Sequence, residues 1–267
     1  ALEFIDQPRE NPFCLYLSHK AVHHQFLPPP QLDHLYDDVE MVLPREADSW
    51  LSMTRGHLWT GIFGPLEHHM RNYCEALVAL DRQIGRVLAK LDEMGIADDT
   101  IVVYAGDNGY FWGEHRLVDK RWPYEESIRI PFIVRYPRLV KDPGRAAEQM
   151  VLNIDLAPSL LGMAGVPIPE RTDGESFAPI LSSASAPGRE AWLYEYFKEF
   201  PYNVPQLEAV RTQTHLYAEY QGGRPPELFD VIEDPREMRN LMGTAEEEHL
   251  LPGLKELLEG LRTGRRY

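Results

Sequence analysis

One period stands out in the order of apolar and polar positions along the chain. From Met70 to Met94 the residues Tyr73, Leu77, Leu80, Ile84, Val87, Leu88 and Leu91 recur at the spacing of one helical face, and Gly95 supplies a stop. That spacing predicts an amphipathic helix. Elsewhere the apolar runs are short and carry few polar residues. "PFCLYLS" (12 to 18) follows a polar turn and predicts a buried strand; "TIVVYAG", just after Asp99, is β-branched without alternation, the mark of a central parallel strand covered on both faces. "IPFIVRYP" (130 to 137) predicts another strand, and "NIDLAPSLLGMAG" (153 to 165) a helix opening near Asp155 and closing at Gly165. Between 35 and 65 the pattern has no period, which predicts a long surface excursion.

Beyond the polar stretch "LSSASAPGRE" the character changes. The runs "AWLYEYF", "LEAVRT", "HLYAEY" and "ELFDV" predict a small antiparallel sheet, and a helix from 246 to 261 would close it. A helix leading directly into a buried strand implies a βαβ-type sheet, so the expected class is α/β with an added antiparallel region.

Composition narrows the partners. The chain has 267 residues, 43% hydrophobic and 26% charged, enough for one large domain or a domain with a smaller companion. Its net charge of -15 argues against nucleic acid or an anionic membrane as the main partner, since both require clustered Lys and Arg. The one dense basic cluster, "RTGRRY", reads as a solvated tail. No apolar run is long enough to be a transmembrane segment, and the first residues lack the order of a signal peptide. Cys14 and Cys74 lie in apolar runs and are expected to be buried free thiols.

Candidate chemistry collects just past two of the predicted strands. "SHKAVHHQFLPPP" (18 to 30) packs three histidines and a lysine into a few positions, and "GDNGYFWGEHRLVDKR" (106 to 121) begins where the β-branched strand ends. Ligands of open α/β sheets sit beyond the carboxyl ends of strands, so the two clusters are suited to one crevice. Asp107 and Asn108 offer hard oxygen donors for calcium or magnesium, although "DNG" alone is more often a plain tight turn. Lys120 can meet an anionic substrate, Lys20 can add a second charge, and His23 can donate a proton near neutral pH. Each of these three, taken singly, is more often a solvated surface residue. His19, His24, His68 and His69 make zinc the weaker alternative, because their spacing matches no ordinary ligand pair. Oxygen-liganded metal, cations and a proton donor together suit cleavage or transfer of a sulfate or phosphate ester.

The blocks "PFCLYLSHKAVHHQF", "LDRQIGRVLAKLDEMGIADDTIVVYAGDNGYFWGEH", "DKRWPYEESIRIPFIVRYP", "NIDLAPSLLGMAGVP" and "ELFDVIEDPREMRNL", in this order, resemble the sulfatase family of the alkaline-phosphatase-like superfamily. The resemblance covers nearly the whole chain. It implies an alkaline-phosphatase-like sandwich with a mainly parallel central sheet, incomplete at its N-terminal side, followed by a small antiparallel sheet packed with a helix. Residues 1–187 would be the C-terminal part of the catalytic α/β domain and 188–267 an α+β subdomain. Asp107 and Asn108 resemble the second pair of calcium ligands, His23 the histidine that contacts sulfate and assists the leaving alcohol, and Lys120 the lysine on a sulfate oxygen, with Lys20 in the same block.

The resemblance also implies a formylglycine nucleophile, formed in a C-x-P-S-R or S-x-P-S-R motif. Neither cysteine fits, since Cys14 is followed by "LYL" and Cys74 by "EAL", and no serine fits. The family's first acidic calcium-ligand pair and its "GKWH"-like segment are absent as well. The expectation is therefore a sulfatase's C-terminal portion, without turnover by itself, weak in calcium binding, with an exposed sheet edge. Its expected partners are a sulfated small molecule or glycan and the N-terminal half. Alternatives are a phosphodiesterase or phosphonate monoester hydrolase of the same superfamily, and a noncatalytic glycan- or protein-binding module.

Overall fold

The structure is a computed structural model that describes residues 1–45, 47 and 65–264. It divides into two compact units: Ala1–Val102 with Trp112–Val118, and Val103–Phe111 with Asp119–Tyr267. Most of the excursion predicted from 35 to 65 lies outside the described residues. Its described beginning is a chain of turns.

In the first unit, α1 (Leu2–Asp6) packs on α2 (Leu66–Glu93), the predicted long helix, which starts four residues earlier than its apolar pattern. Gly95 ends it with φ +68 and donates its N–H to the Asp92 carbonyl at 3.0 Å. A left-handed residue at this place favours glycine because no Cβ crowds the turn. Ile5, Leu91 and Ala97 form a buried cluster, with Phe4, Phe13, Leu15 and Val87 packed against it. Lys90 Nζ reaches Asp6 at 2.6 Å across the same helix pair. The buried face is not quite the predicted one: Ala76, Leu80 and Leu91 are buried, whereas Leu77 is exposed.

Residues 12 to 18 correct the expectation of a buried strand. They form no strand, and Tyr16 is 85% exposed and Cys14 exposed. Phe13 and Leu15 do face the Ile5 cluster, as alternate residues of an extended segment can. A strand also needs a hydrogen-bonded neighbour, and none pairs with this segment among the described residues. Cys74, by contrast, is half-buried, and burial raises its pKa.

The chain enters the second unit along β1 (Val102–Ala105), while β2 (Phe111–Trp112) and β3 (Val118–Asp119) bracket its return to the first. A single turn, α3 (Glu125–Ile128), precedes β4 (Phe132–Arg135), which pairs with β1. This two-stranded sheet is thinner than the doubly covered one expected. β1 is at best half-buried and Ile133 is 61% exposed, because an apolar run states a need for cover without supplying it.

The predicted helix at 153 to 165 appears as a 3-10 turn, Asn153–Asp155, leading into α4 (Leu156–Met163). Asp155 is 2% exposed, and it accepts hydrogen bonds from the Leu152 and Glu175 N–H groups at 2.7 Å each and from Arg189 Nη1 and Nη2 at 2.8 Å each. Four donors are what a buried carboxylate needs to offset its lost hydration.

After α5 (Ala178–Ser182) come β5 (Ala191–Tyr196), β6 (Leu207–Thr212), β7 (His215–Tyr220) and β8 (Glu227–Asp230), antiparallel in that order. Tyr217 stands opposite both Val210 and Leu228, and α6 (Ala245–Thr263) lays Leu254 and Leu258 on the same buried cluster. Each such side chain contributes about 1.5–3 kcal/mol by leaving water. The α/β class and the antiparallel sheet with its helix are as the sequence predicts.

Candidate functional site

Two of the predicted site residues, Lys20 and His23, lie in the first unit; Asp107, Asn108 and Lys120 lie in the second. In the first unit the chain turns twice in succession, His23 N–H donating to the Lys20 carbonyl at 2.9 Å and Phe26 N–H to the His23 carbonyl at 3.2 Å. Phe26 closes the turn, 2% exposed and edge-on to the rings of His24, His69 and Tyr73, with Trp112 tilted beside it. This buried ring pins a segment whose polar side chains remain outside. Both Lys20 and His23 are exposed. His23 Nδ1 lies 2.7 Å from the His24 carbonyl, which can only accept a hydrogen bond from Nδ1–H, so Nε2 is the nitrogen left for a ligand.

Three other histidines, His24, His68 and His69, make ring contacts. His24 and His69 meet the Phe26 ring edge-on, and His68 meets His69 in the same way. No group of three metal-binding side chains among the described residues includes His19, His24, His68 or His69.

In the second unit the oxygen donors and the lysine are brought under one brace, Ser127 on α3. Its carbonyl accepts the Gly109 N–H at 2.8 Å, and its Oγ accepts the Arg121 N–H at 3.0 Å. Thus a single buried residue holds both the turn that carries Asp107 and Asn108 and the backbone beside Lys120. Gly109 is needed here, since a Cβ would overlap the Glu126 carbonyl. Within the turn, Asp107 Oδ1 accepts the Asn108 N–H at 2.9 Å, and the Asn108 amide nitrogen donates to the Gly109 carbonyl at 2.7 Å. Asp107 Oδ2 and Asn108 Oδ1 have no donor among the described residues. They are two hard oxygens with lone pairs unspent, which fit a divalent cation of the calcium type.

Lys120 is half-buried and forms no ion pair among the described residues, whereas its neighbour is tied down on every side. Arg121 pairs with Asp119, donates to Glu199 at 3.0 Å, and lies 3.3 Å under the Tyr202 ring. Asp119 and Arg121 both hold positive φ, +80 and +89. Such backbone costs about 1–3 kcal/mol per residue and persists only where surrounding contacts over-determine it. Trp122 and Tyr124, both buried and stacked, continue the anchor, and Tyr124 donates its hydroxyl to Glu227 at 2.8 Å. Burial beside that carboxylate pushes the Tyr124 phenol well above its usual range.

Sequence reasoning missed Ser127, Arg121 and a buried acid, Glu237. The last is 1% exposed, accepts the Glu125 N–H at 2.8 Å through Oε2, and has no partner for Oε1 among the described residues. Burial, with Glu125 and Glu126 nearby, raises its pKa to about 8 against the opposing pull of that N–H and of Arg211. Its sequence surroundings, "DPREMRN", look like an ordinary surface turn. Only the pairing of distant segments buries it. A cavity of about 360 Å³ at the start of α6, lined by Thr244, Glu247, Glu248 and Leu251 among others, contains none of the predicted site residues.

Comparison with known proteins joins these observations. The sulfatase family model matches residues 1–166, and the model of the C-terminal region of N-sulphoglucosamine sulphohydrolase matches residues 113–264. An N-acetylglucosamine-6-O-sulfatase of Bacteroides thetaiotaomicron is 38% identical over 202 residues, 72% of this chain and 35% of the relative. An ulvan-active sulfatase of Formosa agariphila is 31% identical, covering 68% and 36%. The chain spans about a third of the length of these relatives.

Among solved structures, one in complex with its substrate D-glucosamine-2-N,6-O-disulfate superposes with a TM-score of 0.88 at 26% identity, covering 98% of this chain and 67% of that one. A phosphonate monoester hydrolase of Silicibacter pomeroyi gives 0.78 at 25% identity, covering 91% and 54%. These neighbours establish the alkaline-phosphatase-like fold, and with the family match over 166 residues the chain belongs to the sulfatase family.

Proposed function

We propose that these 267 residues are part of a sulfuric ester hydrolase acting on a sulfated sugar, with residues 1–187 supplying the chemistry and 188–267 a supporting subdomain. The observation that carries the reading is the Ser127 brace, which ties the turn with two unspent oxygen donors to the strained backbone on either side of a lysine that forms no ion pair among the described residues. Asp107 and Asn108 would hold calcium, and the cation, when bound, would polarise a sulfate oxygen. Lys120, with Lys20, offsets the negative charge that grows on sulfate oxygens in the transition state. His23 donates a proton from Nε2 to the departing alcohol oxygen while Nδ1 stays on the His24 carbonyl.

No nucleophile is assigned within the chain. The sequences around Cys14 and Cys74 do not fit a formylglycine site, so the nucleophile and the remaining metal ligands belong to sequence outside these residues. A sulfated amino sugar is the preferred substrate class, because one relative is named for N-acetylglucosamine 6-O-sulfate and one neighbour holds a sulfated glucosamine. The phosphonate monoester hydrolase neighbour supports a second reading, hydrolysis of a phosphonate or phosphate ester at the same residues.

The test is sulfate release from N-acetylglucosamine 6-sulfate by the whole protein with calcium, beside an aryl phosphonate monoester at equal concentration. Lys120→Ala is expected to lower kcat/KM by roughly 10²–10³-fold, as for loss of one charge-stabilising donor. Faster turnover of the phosphonate ester would favour the second reading. An unchanged Lys120→Ala enzyme would overturn the role of Lys120.

A further inference from the structure

The segment from Tyr196 to Tyr202, "YFKEFPY", places four aromatic rings in seven residues between β5 and β6. Two of them turn inward. Tyr202 lies over the Arg121 guanidinium, and Tyr196 donates its hydroxyl to Glu199 at 3.3 Å, the same carboxylate that receives Arg121 Nε. The other two turn outward: Phe197 is 64% exposed and Phe200 is 96% exposed. Lys198 stands between them, exposed and without an ion pair among the described residues. A loop that was merely solvated would not carry two bare phenyl rings, and a loop free to collapse would fold them in. This one is held out by its attachment to Arg121, the residue that follows Lys120.

We propose that Phe197 and Phe200 form a sugar-stacking subsite of the same active site, with Lys198 as a second anion contact. The inference rests on the proposed sulfated-sugar hydrolysis and adds the residues that select the sugar. A pyranose ring presents an apolar C–H face that packs on an aromatic ring, and its sulfate groups are anions. One ligand therefore satisfies both the rings and the lysines. A purely apolar partner would leave Lys198 unpaired at the centre of its interface, and that charge complementarity decides for the sulfated sugar.

The experiment uses the whole protein and compares wild type with Phe197→Ala/Phe200→Ala and with Phe200→Trp. The readouts are KM and kcat on N-acetylglucosamine 6-sulfate and the Ki of inorganic sulfate, which probes the anion contacts without a sugar ring. The double alanine variant is expected to raise KM about tenfold with kcat within twofold, to leave the Ki of sulfate within twofold, and Phe200→Trp is expected to keep the wild-type KM. Because both rings are exposed, their truncation removes no core packing. An unchanged KM overturns the subsite alone, and so does a sulfate Ki that moves in step with KM, since the loop would then act only by supporting Lys120. A concentration-dependent dimer that the double variant abolishes overturns it in favour of a second copy of the chain on this patch. Wild-type protein that hydrolyses no sulfate ester overturns both the proposed function and the subsite.

Discussion

Charged groups are treated in opposite ways in two regions of this protein. Around the antiparallel sheet they are spent on one another: Arg189 on Asp155, Arg211 on Glu125, and Arg262 on Glu208 and Glu219. By contrast Lys20, Lys120 and the outer oxygens of Asp107 and Asn108 have no such partner among the described residues. Strained backbone on either side of Lys120 costs stability that a ligand completing the site would justify. The contrast separates residues that hold the fold from the residues proposed to meet a substrate.

The largest effect that could break this contrast is on the structural side. Asp155→Ala leaves the half-buried Arg189 guanidinium and two backbone N–H groups without their acceptor, and is expected to cost about 3–5 kcal/mol, read by urea unfolding. A loss below about 1 kcal/mol would mean that the buried pair is structurally idle.

Glu237 sharpens the comparison, being buried like a structural residue yet incompletely partnered. Its folded-state pKa of about 8 lies above the ordinary 4.5, so between those values the native state keeps a proton that the unfolded chain has released. Stability is therefore highest below about pH 4.5 as far as this group is concerned, and falls as pH rises toward 8. The slope is at most about 1.4 kcal/mol per pH unit. Thermal unfolding at pH 5.5 and pH 7 should show a drop in Tm that Glu237→Gln abolishes; equal drops in the two proteins would assign the pH dependence elsewhere.

The smallest effect is expected where the functional loss is large. Lys120→Ala should shift the unfolding free energy by less than about 0.5 kcal/mol, because Lys120 has no ion pair to lose among the described residues. A substantial destabilisation would move Lys120 to the structural side of the comparison.

How much of this was legible depended on the range of the interactions. The helix from Leu66, the four antiparallel strands and α6 were readable because their apolar periods and turns are local, and antiparallel neighbours joined by short connections supply one another's hydrogen bonds. Residues 12–18 show the same signal failing. Phe13 and Leu15 alternate correctly, yet a strand is a relation between two segments, and the apolar pattern of one cannot announce a neighbour.

The candidate chemistry was legible as residue types: the oxygen pair Asp107 and Asn108, the lysines Lys20 and Lys120, the histidine His23. Sequence by itself determined these side chains, the class of the fold and the family resemblance, since composition, period and motif are properties of the chain alone. Only the tertiary structure decided that Ser127 braces Gly109 and Arg121, that Arg121 is consumed while Lys120 has no ion pair among the described residues, that Glu237 is buried, and that Phe197 and Phe200 stand outside. Those outcomes depend on hydrogen bonds and packing between residues distant in the chain, and neither burial nor pairing is a property that a residue carries on its own.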